Sequence, residues 1–459
     1  MTLTGEFAKF HKTAQMRNGV LCWYPFASDA RVLDATGGIL TELLNERCET
    51  VVPATEATLP ADRYDYLVIL DPPRLDATTL AAWRLSLKEH GRLLLAVENP
   101  FALRYWAGHS APTTGQPYDT LRGKELSSLI SKAELTLRLG EAGFTPDACK
   151  WYYPLADHWL TTEVYSDAYL PNEFLNQRFV PYLDSDPHRC FDENPLLREV
   201  IRNGAFTFLC SSYLLEARRD GTDPPCTVDY AAVTAYRAPD RRFATTLNNN
   251  GKAYKRPLAP DAATGIERIA ANHTALRVCG VNALACAAEH DDSGMPVLVM
   301  PRVELPTLLD HWATCLTRDA WDQNEIIRLY DRIRHDIYKA AKTGSCFWEL
   351  VPANCFYNAA AAKTEDELTY FDQEYRSEGA DPDLALARAV SGLKYSPLFA
   401  TAPAAQRLYR QLLKRYDLVN TRRDAIKLLE AADTYHEVFG PEHQRYQLIS
   451  MKNAERFKG

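Results

Sequence analysis

The sequence predicts an α/β unit followed by an α+β unit, and three observations carry that prediction. Short apolar runs alternate with helix-period stretches through the first third of the chain. A charged, Gly- and Pro-containing break follows at Arg218-Arg-Asp-Gly-Thr-Asp-Pro-Pro225. Beyond it, a hairpin signal gives way to mostly helical periods. The 459 residues fit two or three domains at roughly 150 residues each. The expected boundaries are 1–217 for the first domain and 226–459 for the second.

The elements follow in order. Arg31–Leu33 reads as a strand ending in Asp34-Ala-Thr-Gly-Gly38, with a helix over Ile39–Arg47 and a strand over Thr50–Val52. Tyr64–Leu70 is a strongly apolar strand that ends in Asp71-Pro-Pro-Arg74. Leu80–Glu89 reads as a helix, His90-Gly91 as a turn and Arg92–Val97 as a buried strand. Such alternation predicts a parallel sheet covered by helices. Glu125–Ala142 is an amphipathic helix stopped by Gly143. Trp151–Asp186 is aromatic- and proline-rich with no clear period, and reads as a connector or substrate-facing insertion. Ala205–Ala217 reads as the last strand of the first domain. In the second, Phe243–Leu247 and Lys252–Lys255 flank Asn248-Asn-Asn-Gly251, a hairpin signal. A helix at Ala262–Val278, a strand at Pro296–Met300, a helix at Ile326–Thr343 and helices at Leu384–Gly392, Ala404–Tyr416 and Thr421–Tyr435 complete it.

Composition narrows the function. A chain 46% hydrophobic and 24% charged can bury a core in each domain and is not mostly disordered. A net charge of −8 argues against a non-specific nucleic-acid binder, which needs a concentrated basic surface. No run approaches the ~20 apolar residues of a membrane-spanning helix, and Met1–Asn18 has no apolar signal-peptide core. The 11 cysteines are scattered, with no CxxC pair, which predicts reduced and mostly buried thiols in a cytoplasmic protein. His158, His290, His311 and His335 lack metal-ligand spacing and read as packing or surface residues. His335 and Asp336 read as a solvated helix face. Trp151, Tyr152, Tyr153, His158 and Trp159 read as core or connector residues, with a sugar-stacking platform as the alternative.

Two constellations carry chemistry. In the first domain, a strand ending in a small turn lets backbone N–H groups and a helix N-terminus approach a cofactor. Asp34, Thr36, Gly37 and Gly38 form that turn, and Asp71 ends a later strand. In the second, phosphotransferases need a strand lysine for phosphates and an acid on the next helix to hold it. They also need a loop carboxylate with an asparagine five positions on, and an aspartate after a further strand for magnesium. Lys255, with Lys252 equal by spacing, then Asp261 or Glu267, then Glu349 with Asn354, then Asp372 supply these in order. Asp372 and Glu374, one residue apart, offer two oxygen donors to a hard cation. The plain structural alternatives are a solvated lysine, an asparagine capping a turn and an aspartate capping a helix.

Longer motifs add a resemblance. Glu98-Asn-Pro-Phe-Ala-Leu-Arg-Tyr-Trp-Ala-Gly108, Tyr152-Tyr-Pro-Leu-Ala-Asp157 and Tyr165-Ser-Asp-Ala-Tyr-Leu-Pro171 resemble a family of bacterial two-part proteins from polysaccharide-assembly loci. In that family a class I S-adenosylmethionine (SAM)-dependent methyltransferase-like, doubly wound domain precedes a protein-kinase-like domain. The resemblance implies a cytoplasmic transferase of surface-polysaccharide biosynthesis, using SAM, or ATP with Mg2+, on a glycan or lipid-linked sugar, with glycosyltransferases as partners. It adds Glu98 and Asn99 to the cofactor-binding set with Lys255. Glu349 and Asp372 would be catalytic, and Asn354, Asp372 and Glu374 would hold the metal. Trp348-Glu-Leu-Val-Pro-Ala-Asn354 resembles the His-Gly-Asp-x-x-x-x-Asn loop of small-molecule kinases, and Phe371-Asp-Gln-Glu-Tyr375 their Ile-Asp-x-Glu element. Phe347 and Trp348 stand for His-Gly, and Glu349 for aspartate. In the first domain only two glycines remain in the turn, and Arg74 stands where an aromatic is usual. The place of the ribose-binding carboxylate falls at Pro53-Ala54, with Glu56 nearby. The alternative implied by these departures is a non-catalytic scaffold of two degenerate enzyme domains.

Overall fold

The computed structural model describes residues 18–418 apart from 55–58, 60, 113, 124–128, 176–187, 189, 192, 222–223, 235–236, 238 and 292–293. The expected helix at Thr421–Tyr435, Glu56 and the start of the helix expected from Glu125 lie outside the described residues. The chain divides into two compact units. One runs to Tyr236 and includes Ala244–Asn250; the other holds Arg237–Phe243 and resumes at Gly251.

The first unit is built on parallel strands, as the α/β alternation predicts. β1 (Arg31–Ala35) pairs in parallel with β2 (Thr50–Pro53) on one side and with β3 (Tyr64–Leu70) on the other. β4 (Leu87–Glu98) lies parallel to β3. Leu67, Val68 and Ile69 of β3 are buried on both faces of the sheet, which is why the strand reads as an unbroken apolar run. Helices α1 (Thr41–Arg47), α2 (Ala77–Ser86), the short α3 (Leu103–Trp106) and α4 (Lys132–Glu141) connect these strands and those that follow. Asp76 caps α2 by accepting from Thr79 N at 2.8 Å, and Ser131 caps α4 by accepting from Glu134 N at 3.2 Å.

The remainder of this sheet is antiparallel. β5 (Cys149–Ala156) and β6 (Thr161–Ser166) form a hairpin-like pair, followed by α5 (Asn194–Arg202), α6 (Phe206–Leu209) and β7 (Ser212–Arg218). β7 inserts between β4 and β5, antiparallel to both. β8 (Val228–Val233) pairs with β6 and then with β9 (Phe243–Asn248). Within the unit the order is β9-β8-β6-β5-β7-β4-β3-β1-β2.

Four expectations change here. The aromatic stretch beginning at Trp151 is two strands, not a connector; Tyr and Trp favour strands, and burial on both faces hides the alternation. Trp151, Tyr152, Tyr153 and His158 are all buried, so the sugar-stacking alternative gives way to core. Ala205–Ala217 begins with the α6 turn before its strand. The Arg218–Pro225 stretch joins two strands of the first unit and is tied down. Glu216 accepts from Cys226 N at 3.1 Å and pairs with Arg92 at 2.8 Å, and Arg92 also donates to Pro224 O at 3.2 Å.

His90-Gly91 is likewise no turn between elements. It lies in an irregularity within β4, where Tyr64 pairs with Leu87 but Tyr66 pairs with Arg92. A Cβ on Gly91 would sit 2.8 Å from Tyr64 O and 3.0 Å from Lys88 N, so the bulged backbone closes only over glycine.

The second unit is α+β. β10 (Lys252–Pro257), β12 (Pro296–Pro301) and β11 (Ala287–His290) form an antiparallel sheet. Helix α7 (Ala263–Val278) packs Ile266 and Ile269 against Phe243 and Leu298. Helices α8 (Leu308–Thr317), α9 (Gln323–Ala341), α10 (Pro382–Tyr395), α11 (Pro397–Thr401) and α12 (Pro403–Arg415) make the rest. Two short antiparallel pairs carry the loops: β13 (Ser345–Phe347) with β16 (Arg376–Glu378), and β14 (Cys355–Tyr357) with β15 (Leu368–Tyr370). Asp336 on α9 is buried rather than solvated; it accepts from Tyr370 Oη at 3.1 Å and pairs with Arg332 at 3.1 Å. All 11 cysteines are free thiols, and Cys190 is exposed. Among the described residues no helix is long and apolar enough to cross a membrane.

Gly91→Ala should lower stability by about 1–3 kcal/mol, the range for forced overpacking. The urea midpoint should fall with the slope unchanged.

Candidate functional site

In the first unit the chain winds from β1 outward to β2, then crosses back to β3 on the far side of β1. At such a switch point the carboxyl ends of the strands open into a crevice. Asp34, Thr36, Gly37 and Gly38 lie at that end of β1. Asp34 is buried and already committed. It accepts from Thr36 N at 2.9 Å, from Thr36 Oγ1 at 2.6 Å and from Thr41 Oγ1. It therefore shapes the turn and does not face a ligand. Gly37 and Gly38 have φ of +66° and +87°, and a Cβ on either would meet nothing within 4 Å, so their backbone is open to an approaching group.

The neighbouring strand ends bring ionisable groups together. Asp71 follows β3, Glu98 ends β4, and Asp157 and His158 follow β5. His158 Nε2 meets Asp71 Oδ2 at 2.7 Å. Burial alone would favour a neutral ring, but Asp71, then Asp157 and Glu98, outweigh it and raise the His158 pKa. Arg104 and Tyr105, on α3, both reach Glu98 Oε1, the Tyr105 hydroxyl at 2.5 Å, and Arg104 also faces Asp157 at 3.4 Å. Asn99 is not a ligand-binding group here. Its amide donates to Phe208 O and Cys210 O, both at 2.8 Å, and accepts from Phe101 N at 3.0 Å. His158, Arg104 and Asp157 were missed as site residues in the sequence. Arg104 and Asp157 lie within the longer motifs, and Asp157-His158 directly follows an apolar run that is a strand; those were the available signals.

In the second unit Lys255, not the exposed Lys252, is the buried lysine of β10. Its Nζ meets Asp372 Oδ1 at 2.5 Å and also pairs with Glu374 Oε1. The helix acids expected to hold it, Asp261 and Glu267, are exposed. Burial opposes the ammonium, but the two carboxylates raise its pKa. Burial likewise pushes Asp372 upward, yet Lys255 and Arg237 hold it below the usual carboxylate range.

The loop bearing these acids is locked. Asp372 adopts φ +55°. Gln373 donates to Glu349 O at 3.0 Å and to Phe371 O at 2.8 Å, and Asn272 on α7 donates to Gln373 O at 3.0 Å. His273 Nδ1 lies 2.9 Å from Leu284 O, so it carries the proton there, while Nε2 accepts from Gln373 N at 3.4 Å.

Two expected roles change. Glu349 Oε2 accepts from Glu374 N and, at 3.1 Å, from Tyr375 N, and the side chain is buried. The geometry makes Glu349 a positioning residue for the acidic loop and not a catalytic group at an acceptor. Burial, then the carboxylates of Asp372 and Glu374, push its pKa up to about 8. Glu374 is buried between Lys255 and Arg237, the latter at 3.0 Å, and cannot also serve a cation. Asn354 and Asp372 remain as metal-binding candidates. Phe371 N donates to Asn354 O at 3.0 Å, which sets Asn354 beside the strand end leading into Asp372. The Asp372 side chain is 39% exposed. Among the described residues no three His, Cys, Asp or Glu side chains form a metal cage. Mg2+ is commonly held by one or two carboxylates with phosphate and water completing its shell, which these two residues fit.

No protein-family model and no curated protein matches this chain. Solved structures similar to it include a SAM-dependent methyltransferase from Mesorhizobium loti, at 14% identity over 46% of this chain and 99% of that one, with a TM-score of 0.26. The PknI kinase domain of Mycobacterium tuberculosis matches at 15% identity over 48% and 95%, with a TM-score of 0.27. WaaP, solved with acyl carrier protein, matches at 13% identity over 49% and 88%, with a TM-score of 0.27. Likenesses this distant decide no chemistry, which rests on the geometry above.

Lys255→Met should cost about 1–3 kcal/mol, because it removes the ammonium between buried Glu374, which keeps Arg237, and partly exposed Asp372; chemical denaturation measures it. His158 has a raised pKa in the folded state, so its pairing with Asp71 stabilises fully below the unfolded value, about 6.5. That gain is lost as pH rises through the folded pKa. Melting temperatures of wild type and Asp71→Asn should therefore converge as pH increases through that window.

Proposed function

We propose that the second unit binds ATP with Mg2+ and transfers a phosphoryl group to a hydroxyl of a glycan or a lipid-linked sugar. The protein would then act as a transferase of surface-polysaccharide assembly. The supporting observation is the pairing of buried Lys255 with partly exposed Asp372, two groups 117 positions apart that phosphoryl transfer requires at one place. Lys255 would exchange a carboxylate for nucleotide phosphates. Asn354 and Asp372 would hold Mg2+, which when bound neutralises phosphate charge. Glu349 keeps the Asp372–Glu374 loop in register.

SAM fits the first unit poorly. The Gly37-Gly38 turn would admit it, but Asp34 is consumed by Thr36 and Thr41, and β2 itself holds no carboxylate.

A second reading, a scaffold that organises glycosyltransferases, is favoured by one observation. Glu349 holds backbone amides where a phosphotransferase would aim a carboxylate at its acceptor.

Thermal shift separates the two. At about 100 times its Kd, a ligand of the native state stabilises by about 2.7 kcal/mol. ATP·Mg2+ should raise the wild-type Tm, Asp372→Asn and Asn354→Ala should lose most of the rise, and SAM should give none. No rise in wild type would remove the phosphotransferase reading and leave the scaffold. A rise without phosphate transfer to glycan acceptors would favour a nucleotide-binding scaffold.

A further inference from the structure

We infer that the second unit carries an anion site for a phosphate group, built from Arg268, Arg237, Arg241 and the Tyr375 hydroxyl. It goes beyond the nucleotide reading and does not depend on it.

The site sits on the far side of Glu374 from Lys255. Arg237 Nη1 pairs with Glu374 Oε2 at 3.0 Å. Arg241 Nε pairs with Asp240 at 3.3 Å, and its guanidinium lies over the Tyr375 ring at 4.6 Å. Both arginines thus have partners of their own. Arg268, on the face of α7 turned to them, differs. Its Nε and Nη2 are buried with no hydrogen-bond partner among the described residues, and the same holds for the Tyr375 hydroxyl.

A guanidinium only donates, and a phenol donates readily, so the missing complement is an acceptor. Buried polar groups are normally satisfied, by protein, water or ion, and an unpaired buried cation is costly. Water could meet one donor, but the electrostatics ask for charge. The charge of Arg241 acts on Arg268, and those of Arg237 and Arg241 act on Tyr375, whereas Glu374 is already shared with Lys255 and Asp240 faces Arg241. Burial, then the positive charge of Arg241, lower the pKa of Arg268, against the pull of Asp240, Glu374 and Tyr375. An oxyanion with several acceptor oxygens and more than one negative charge answers all of this. A phosphate does so better than a carboxylate, because guanidinium forks match its oxygens in pairs. The phosphate could belong to the nucleotide or to a phosphorylated acceptor such as a sugar phosphate.

The experiment titrates the full chain with inorganic phosphate at constant ionic strength and follows Tm, with chloride as the control. Wild type should be stabilised by tens of millimolar phosphate and not by chloride. Losing charged hydrogen bonds of about 1.5–3 kcal/mol should raise the half-saturating phosphate concentration at least roughly tenfold in Arg268→Gln, with partial recovery in Arg268→Lys. Each variant is compared with its own phosphate-free Tm, so a general loss of stability does not mimic the effect. Asp372→Asn should lose the ATP·Mg2+ response but keep the phosphate response, so the two readings fail separately. If phosphate does not stabilise wild type beyond chloride, or Arg268→Gln responds like wild type, the anion site is overturned. Given a positive result, repetition under saturating ATP·Mg2+ assigns the source. A phosphate response that disappears supports the site as a holder of the nucleotide's own phosphate, and one that adds supports a phosphorylated acceptor.

Discussion

A buried ammonium has to be neutralised, and the second unit is arranged around that requirement. Lys255 leaves water on β10, a strand that would otherwise be apolar on its inner face. Two carboxylates meet it, and both come from one short loop far along the chain. Two acids so close repel each other, so the loop needs its own restraints. Glu349 supplies one by accepting from two backbone amides, and Asn272 and His273 supply others from α7. Arg237 takes the outer oxygen of Glu374 and completes the charge balance on that side. Removing the lysine would therefore disturb the whole loop and not one pair.

The first unit has a different constraint, which is the winding of its sheet. Among the described residues one strand, β2, lies outside β1, where a doubly wound half usually has two. The ionisable groups gather at the ends of β3, β4 and β5, where Asp71 pairs with His158, Arg104 faces Glu98 and Asp157, and burial pushes the Glu98 pKa up to about 8. Such pairing holds strand ends together whether or not it meets a ligand, while Asp71 Oδ1 and His158 Nδ1 stay buried with no hydrogen-bond partner among the described residues. This is why its presence alone supports no methyl transfer.

Much of this was legible in the sequence where local chemistry and tertiary packing agree. Tyr64–Leu70, the turn at Gly37-Gly38 and the helix ending at Val278 read correctly because apolar runs and glycines are local signals, and Lys255 and Asp372, which motif order puts in one site, do meet. The misreadings have a common physical origin. Tyr152–Ala156 is buried on both faces, so its strand period is invisible. His90-Gly91 carries turn chemistry because a bulge needs it as much as a turn does. Arg218–Pro225 looks like a linker by composition, yet Glu216 and Arg92 bind it down, and their pairing cannot be read from spacing. The partner of Lys255 was assigned to the next helix, whereas it lies 117 residues away.

The substitution of glutamate for aspartate at position 349 gains its meaning from this geometry. An aspartate there would be one methylene shorter and would not reach the amides of Glu374 and Tyr375 from the same backbone. The longer side chain reaches inward, spends one oxygen on those two donors, and closes the acidic loop against its own strand. Its raised pKa follows from the same placement, because burial and two neighbouring carboxylates favour the protonated form. A group so placed is poorly suited to accept a proton from a hydroxyl that would have to enter the core. Phosphoryl transfer at this site would thus depend on positioning and on charge around the phosphates, supplied by Lys255, the Asp372 metal position and the arginines beyond Glu374. Glu349 would contribute by keeping the loop in place, so the reaction would lean on electrostatics more than on a carboxylate base.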